Sequence, residues 1–241
     1  MGMYDMSHAR AAHDRFWTLI RSGLDHGPER LDRTYDIWEQ WLSPDLVMSQ
    51  TCGLPFRARL HDKVRLIGTP DYGLPGCPPG HYNSVLLVRV DNDASVLSEL
   101  VHPRLAYNEP LSQSGWAAPY AHFHALGQSF EVGAQTGAHA ASARAVAEGK
   151  ADVAAVDALT WAMLERESPV LFNTLRIIDR TAPTPGLPYI TALTRDPAPI
   201  ALAIDQAITS LDQTDRDILH LKALIRMPAK AYLDLPIPPT P

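Results

Sequence analysis

The stretch Leu111-Ser112-Gln113-Ser114-Gly115-Trp116 joins a predicted strand, Arg104 to Asn108, to a predicted helix. Hydroxyl side chains and a glycine at this junction favour a turn with several backbone N–H groups pointing outward. A helix start of this kind suits a small anion, because amide donors and the positive end of the helix dipole meet there. The same residues also suit a simple serine N-cap, which needs only local geometry. The stretch therefore predicts a strand–loop–helix unit with either an anion site or a cap.

Strand-like and helix-like segments alternate almost throughout the chain on both sides of this junction. Tyr82 to Val90 contains the apolar run Val85-Leu86-Leu87-Val88, and Val153 to Val156 is a second buried strand. Apolar residues at helical spacing predict an amphipathic helix from about Ser7 to Leu24. This alternation is typical of parallel sheets covered by helices, where ligands bind beyond the carboxyl ends of strands.

The order of these segments predicts two doubly wound α/β lobes. The turn Asp91-Asn92-Asp93 and the loop Pro183-Thr184-Pro185-Gly186 are suitable places for the chain to cross between them. Residues 1–89 and 186–241 then form a discontinuous first lobe, and residues 90–185 form an inserted second lobe.

Composition excludes several classes of function. The chain has 241 residues, enough for two modest domains, and its net charge of −6 without a Lys/Arg-rich block argues against nucleic-acid binding. No apolar run is long enough for membrane insertion. Histidines such as His122 and His124 lack metal-ligand spacing, and no glycine-rich nucleotide loop is present, so neither a metal nor a cofactor is expected.

The compartment depends on two features of the sequence. Residues Met1-Gly2-Met3-Tyr4-Asp5 lack the pattern of a signal peptide, so the chain as written is expected in the cytoplasm, or in the periplasm if a leader has been removed. Cys52 and Cys77 are too few for a disulfide scaffold. They can form one bridge in an oxidising compartment and stay reduced in the cytoplasm.

Five stretches together carry a family resemblance. They are Ser49-Gln50-Thr51-Cys52-Gly53, Pro75-Gly76-Cys77 leading to Tyr82-Asn83-Ser84, Asn108-Glu109-Pro110 with Ser112-Gln113-Ser114-Gly115, Thr136-Gly137-Ala138-His139, and Ala151-Asp152-Val153-Ala154-Ala155-Val156-Asp157. With them, the chain resembles the phosphonate/phosphate-type solute-binding proteins of ABC importers, from Met3 to about Thr191. The resemblance implies the type 2 periplasmic-binding fold, with two α/β lobes, a two-crossover hinge and a ligand cleft between the lobes.

The resemblance also implies a function without chemistry. The protein would close by hinge motion on a small anionic or zwitterionic ligand that carries an oxyanion, and an ABC permease would be its partner. The matching motifs contain almost no Lys or Arg, so neutral hydrogen-bond donors are expected to recognise the ligand.

Candidate ligand-binding residues in the second lobe follow from these motifs. Ser112, Gln113, Ser114 and Gly115 would supply hydroxyl and backbone donors, and His139 would donate from a helix start. Asp157 is either the N-cap of the helix that begins at Ala158 or a ligand contact. As a contact it would repel a dianion and favour a ligand with a proton or an ammonium group.

The first part of the chain adds further candidates. Gln50, Thr51 and Cys52 end a strand and open a short helix, so they either donate to the same ligand or form a tight turn around a buried cysteine. Tyr4 and Tyr82 are candidates for the walls of the cleft, because aromatic rings often line small-ligand sites. Trp116 is expected in the core.

Two other functions remain open from the sequence alone. Cys52, His139 and Asp157 supply a thiol, a base and a carboxylate, the parts of an enzyme on the same fold acting on a small cofactor or quinone precursor. Their spacing matches no known nucleophile motif, so no catalytic residue is assigned. A cytoplasmic ligand sensor that binds another protein is the third hypothesis.

Overall fold

The computed structural model describes residues 2–34 and 36–241, and helices alternate with strands along them. The strands are β1 (Ser49–Gln50), β2 (Val64–Asp71), β3 (His81–Tyr82), β4 (Ser84–Arg89), β5 (Arg104–Tyr107), β6 (Glu131–Gln135), β7 (Val153–Asp157), β8 (Leu175–Arg180), β9 (Thr184–Pro185), β10 (Tyr189–Ala192) and β11 (Ala223–Ile225). The α-helices are α1 (Arg10–Leu24), α2 (Ile37–Leu42), α3 (Gly53–Pro55), α4 (Ala118–Ala125), α5 (His139–Ala147), α6 (Ala158–Glu167), α7 (Pro169–Asn173), α8 (Pro197–Ser210), α9 (Gln213–Leu219) and α10 (Lys230–Leu233). A π-helical turn at Phe56–Leu60 continues α3, and another at Gln113–Ala117 leads into α4.

The chain divides into two compact units. The first comprises Met1–His81 and Pro185–Leu235, and the second comprises Tyr82–Thr184 and Pro236–Pro241. This division differs from the sequence-based one at three places, the smallest being Pro185, which belongs to the first unit. Strand β4 belongs to the second unit, because it pairs with β7 and β8. Residues 236–241 also group with the second unit rather than the first.

The first unit is built on a four-stranded sheet in the order β1-β10-β2-β11. Its strand pairs are antiparallel, so the prediction of parallel sheets is wrong for this unit. The reason is that β10 lies between β1 and β2 in the sheet and pairs antiparallel with both, so β1 and β2 are not direct neighbours. The predicted amphipathic helix is confirmed as α1, which packs against α8.

The second unit is built on a five-stranded mixed sheet in the order β6-β5-β7-β4-β8. Strand β5 runs parallel to β6 and β7, whereas β4 runs antiparallel to β7 and β8. The carboxyl ends of β5, β6 and β7 therefore share one edge of the sheet with the start of β4. The turn Gln113–Ala117 and helices α5 and α6 follow β5, β6 and β7, so their N-termini gather at this edge.

Strands β3 and β9 form a separate two-stranded sheet where the chain passes between the units. None of the helices in the described residues has the length and apolar character needed to cross a bilayer.

Candidate functional site

Seven residues with polar side chains and one glycine gather at the edge of the second unit's sheet where the helix N-termini meet. We call this set the polar edge; its members are Ser84, Ser112, Gln113, Ser114, Gly115, Thr136, His139 and Asp157. The topology produces it, because these residues stand at the start of β4, after β5, after β6 and at the end of β7.

The turn at Ser112 is closed by its own side chain. Ser112 is extended (ψ 126°), and its Oγ accepts a hydrogen bond from the Gly115 amide at 2.9 Å. Its carbonyl accepts from the amides of Trp116 and Ala117 at 3.2 and 3.0 Å, which makes the turn π-helical. A Cβ at position 115 would overlap Oδ1 of Asn108, so a larger residue there would have to displace the Asn108 side chain. The serine cap predicted from the sequence is confirmed, and it coexists with the amide-rich helix start.

Ser114 and His139 form the central pair of the polar edge. Ser114 Oγ lies 2.9 Å from His139 Nε2, and the Ser114 carbonyl accepts a hydrogen bond from Ser84 Oγ at 2.8 Å. Burial lowers the pKa of His139 to about 4, while the Ala155 carbonyl acts in the opposite direction. The imidazole is therefore neutral near pH 7, and it has one N–H to give.

A second set of hydrogen bonds fixes the start of α5. The Thr136 amide donates to the Tyr107 carbonyl at 2.9 Å, and Thr136 Oγ1 lies 2.7 Å from Ser142 Oγ. The Gly137 amide donates to the Asn108 carbonyl at 2.9 Å, and Gly137 has a φ of 80°, which favours glycine. These bonds tie the segment before His139 to the end of β5.

Asp157 is the N-cap of α6, as one of the two sequence readings predicts. Its Oδ1 accepts from the amides of Leu159 and Thr160 at 2.8 and 2.9 Å, and the residue is 1% exposed. It stands opposite Ser84 in the β4–β7 ladder. The neighbouring Asn83 has a buried Oδ1 without a hydrogen-bond partner among the described residues. Tyr82, one residue further back, is buried.

The candidates in the first unit are held by hydrogen bonds within that unit. Gln50 Nε2 donates to the Tyr72 hydroxyl at 3.0 Å and to the Leu187 carbonyl at 3.1 Å, so both amide hydrogens have acceptors there. The Thr51 amide donates to the Pro188 carbonyl at 3.0 Å, and the Thr51 side chain is fully buried. These contacts anchor β1 to the segment before β10.

The other first-unit candidates are also buried. Tyr4 packs edge-on against Tyr72, with ring centroids 5.4 Å apart. The Cys52 carbonyl accepts from the Phe56 amide at 3.1 Å at the start of α3. Cys52 and Cys77 are both free thiols, and the first of them is buried. The open question of a bridge between them is thus answered in this structure.

The structure brings one group of candidates together within the second unit, and the others belong to the first unit. Ser112, Gln113, Ser114, Gly115, His139 and Asp157 meet at the polar edge, with Tyr82 just before it, whereas Tyr4, Gln50, Thr51 and Cys52 belong to the first unit. Sequence reasoning missed Ser84, although it stands in one of the matching motifs, because its place depends on the antiparallel pairing of β4. Across residues 2–34 and 36–241, no group of three or more His, Cys, Asp or Glu side chains is placed to hold a metal.

Comparison with known families decides what kind of protein this is. Residues 48–233 match the family described as "ABC transporter, phosphonate, periplasmic substrate-binding protein". The chain belongs to this family. The resemblance inferred from its motifs is thereby confirmed, and the protein is a substrate-binding component of an ABC importer. No curated protein is similar enough in sequence to match it.

Solved structures support the fold of this family member. PhnD1 from Prochlorococcus marinus, in complex with methylphosphonate, superposes with a TM-score of 0.68 at 17% identity, covering 93% of this chain and 91% of that chain. A binding protein component of an ABC phosphonate transporter from Pseudomonas aeruginosa gives 0.64 at 15% identity, covering 91% and 78%. XAC2383 from Xanthomonas citri, bound to ATP, gives 0.66 at 17% identity, covering 93% and 91%. The predicted α/β fold of the type 2 periplasmic-binding class is confirmed.

Proposed function

We propose that this binding protein takes up a small solute with a phosphonate or phosphate group, that the polar edge of the second unit holds the oxyanion, and that an ABC permease receives the solute. The observation that carries the proposal is the pair Ser114–His139 at the start of a helix, with 2.9 Å between Oγ and Nε2. The Ser114 hydroxyl, held by the imidazole, and the first-turn amides are neutral donors of the kind that bind an oxyanion.

Which atom donates in the hydrogen bond between Ser114 and His139 depends on the tautomer of the neutral imidazole. Neutral His139 carries one N–H and Ser114 one O–H, and Nδ1 of His139 has no hydrogen-bond partner among the described residues. We infer that Nε2 carries the imidazole hydrogen and donates it to Ser114 Oγ, which leaves the hydroxyl hydrogen for the solute. With no cationic side chain in the polar edge, selection among anions rests on the geometry of these donors.

The acceptors at the polar edge bear on the charge of the solute. Asp157 is a buried carboxyl group, and Oδ1 of Asn83 is a buried acceptor without a partner among the described residues. Both disfavour a bare dianion and favour a solute that brings its own donor. A singly protonated phosphonate or an aminoalkyl phosphonate fits this arrangement.

The pair Ser114–His139 also has the composition of a nucleophile and its base, so an enzymatic role has to be weighed. An imidazole with a pKa of about 4 is a weak base at pH 7, and no carboxylate is hydrogen-bonded to its Nδ1 among the described residues. Cys52, the other candidate nucleophile, belongs to the first unit. We therefore propose binding without turnover.

Isothermal titration calorimetry tests the proposal. The panel is methylphosphonate, 2-aminoethylphosphonate, inorganic phosphate, sulfate and ATP, the last because a structural relative binds it. We expect saturable, stoichiometric binding of a phosphonate or phosphate. Binding of ATP alone would place the solute in another class, and no binding across the panel would contradict the proposal.

The Ser114→Ala variant locates the site. Loss of one hydrogen bond to a charged group costs about 1.5–3 kcal/mol, which weakens binding by at least about tenfold. Ser210→Ala, an exposed serine at the end of α8, is the matched control and should bind like the wild type. Equal affinities for Ser114→Ala and wild type would remove the polar edge from the proposal.

A further inference from the structure

Trp116 links the polar edge to a distant part of the sequence. Its indole Nε1 donates a hydrogen bond to the Pro239 carbonyl at 2.8 Å, although the two residues are 123 positions apart. Trp116 is 2% exposed, so this N–H lies at a site that bulk water scarcely reaches. A buried indole N–H needs an acceptor, and Pro239 supplies it.

The position of Trp116 makes this bond relevant to the solute. The residue directly follows Gly115 in the π-helical turn, and its ring packs against Tyr107 and Phe130 with centroid distances of 5.3 and 5.6 Å. Tyr107 ends β5, and its carbonyl accepts from Thr136. The indole therefore packs between the last residue of β5, next to the polar edge, and the residue that precedes β6.

The segment that supplies the acceptor belongs to the same unit as Trp116 and is rich in proline. Pro236–Pro241 groups with the second unit, while the preceding helix α10 belongs to the first, where Tyr232 is fully buried. The segment contains four prolines in six residues, Pro236, Pro238, Pro239 and Pro241. Proline restricts φ and favours an extended chain, so docking costs little conformational entropy and leaves carbonyls free to accept.

We propose that residues 236–241 help to form the binding site of the second unit. The Pro239 carbonyl holds the Trp116 indole in place. Trp116 in turn holds the turn 113–117 in the geometry that receives the oxyanion. Trp116 and Pro239 are positioning residues in this scheme, since neither needs to touch the solute. The second half of the inference rests on the proposed function, and the first half does not.

The direct test is hydrogen exchange of indole N–H groups in protein labelled with ¹⁵N-tryptophan. Comparison with Trp116→Phe assigns the Trp116 signal among the five tryptophans. A variant that ends at Leu235 should exchange the Trp116 indole N–H much faster than the full chain. Trp161, which stacks on Phe172 in α7, is the internal control and should not change. Deletion of Pro241 alone, which spares Pro239, should leave both signals as in the full chain.

Affinity measurements then test positioning through a double-mutant cycle. The probes are methylphosphonate and inorganic phosphate. The variant ending at Leu235 and Trp116→Phe, which keeps an aromatic ring but lacks the N–H, should each bind about fivefold more weakly, the effect of one lost neutral hydrogen bond. The two changes combined should be no worse than either alone, because they break the same bond.

The outcomes separate the two proposals. Unchanged exchange of the Trp116 N–H in the shortened chain would overturn the tie to Pro239, whatever the affinities. Faster exchange with unchanged affinity, or additive losses in the cycle, would overturn the positioning role. If the wild type binds neither anion, the proposed function and the positioning role fail together, while the exchange experiment still decides on the tie.

Discussion

His139 shows how burial sets the chemistry of a single side chain. A histidine at a helix start in an anion-binding motif suggests a cation, but burial favours the neutral form and lowers the pKa to about 4. In the proposed site, the oxyanion is therefore held by hydrogen-bond donors and dipoles rather than by a point charge. Gln50, which the sequence predicts as a ligand-binding residue, donates both of its amide hydrogens within the protein, to the Tyr72 hydroxyl and the Leu187 carbonyl. We therefore assign Gln50 a role in anchoring β1.

The lowered pKa of His139 predicts a pH dependence of stability. The imidazole of the unfolded chain titrates near 6.5, whereas that of the folded chain titrates near 4. Between these values the unfolded chain binds the additional proton, so the free energy of unfolding should fall as the pH decreases from 6.5 to 4, by at most about 1.4 kcal/mol per pH unit from this group. Above pH 6.5 the contribution is constant. Chemical denaturation at several pH values measures it.

Two variants isolate this effect from other titrating groups. His139→Gln should lose the dependence, so that the free-energy difference between wild type and variant shrinks as the pH falls from 6.5 to 4. His124→Gln replaces an exposed histidine on α4 and should track the wild type. Parallel pH curves for wild type and His139→Gln would show that the imidazole is not buried in the folded protein.

At the scale of elements, the sequence predicts the features that depend on neighbouring residues, but not those that depend on the pairing of distant strands. The serine-capped turn, α1 and the buried strand β7 depend on residues close in sequence, so the sequence predicts them. The direction of strand pairing does not, because β2 pairs with β10 and β4 with β7 and β8 across long stretches of chain. For the same reason, the sequence does not predict Ser84 as a site residue, and it predicts the start of the second unit at residue 90 rather than at Tyr82. The tie from Pro239 to Trp116 has no local signal at all.

Helix α10 offers a prediction about how a short element is held in place. The Tyr232 hydroxyl lies 2.5 Å from Thr69 Oγ1 in β2 and donates to the Gly186 carbonyl at 2.8 Å, and its ring packs edge-on against Phe56. Tyr232→Phe keeps the ring but leaves these buried groups without their partner. We expect the free energy of unfolding to fall by about 1–3 kcal/mol. Tyr120→Phe in α4 should change it by less than about 0.5 kcal/mol, as for a partly exposed site. Equal stabilities of the two variants would show that the hydroxyl does not anchor α10.

At the scale of the whole molecule, the two units have separate sheets and cores, and the chain passes from one to the other between residues 81 and 82, 184 and 185, and 235 and 236. Separate cores joined by a few chain crossings are the usual basis of hinge movement, because only the crossing segments must change conformation. Under the proposed function, such a movement would let the permease distinguish loaded from empty protein. A solute can drive the movement only through contacts that differ between the two states.

Closure on the solute therefore stays a prediction, and small-angle X-ray scattering checks it. Saturating methylphosphonate or inorganic phosphate, whichever binds in calorimetry, should reduce the radius of gyration. Ser114→Ala at the same solute concentration should keep the larger value, because the contact that would favour the closed state is weakened. Ser210→Ala should close like the wild type. A solute that binds in calorimetry without changing the scattering of the wild type would show that binding does not depend on closure, and the polar edge would then act as a site complete within the second unit.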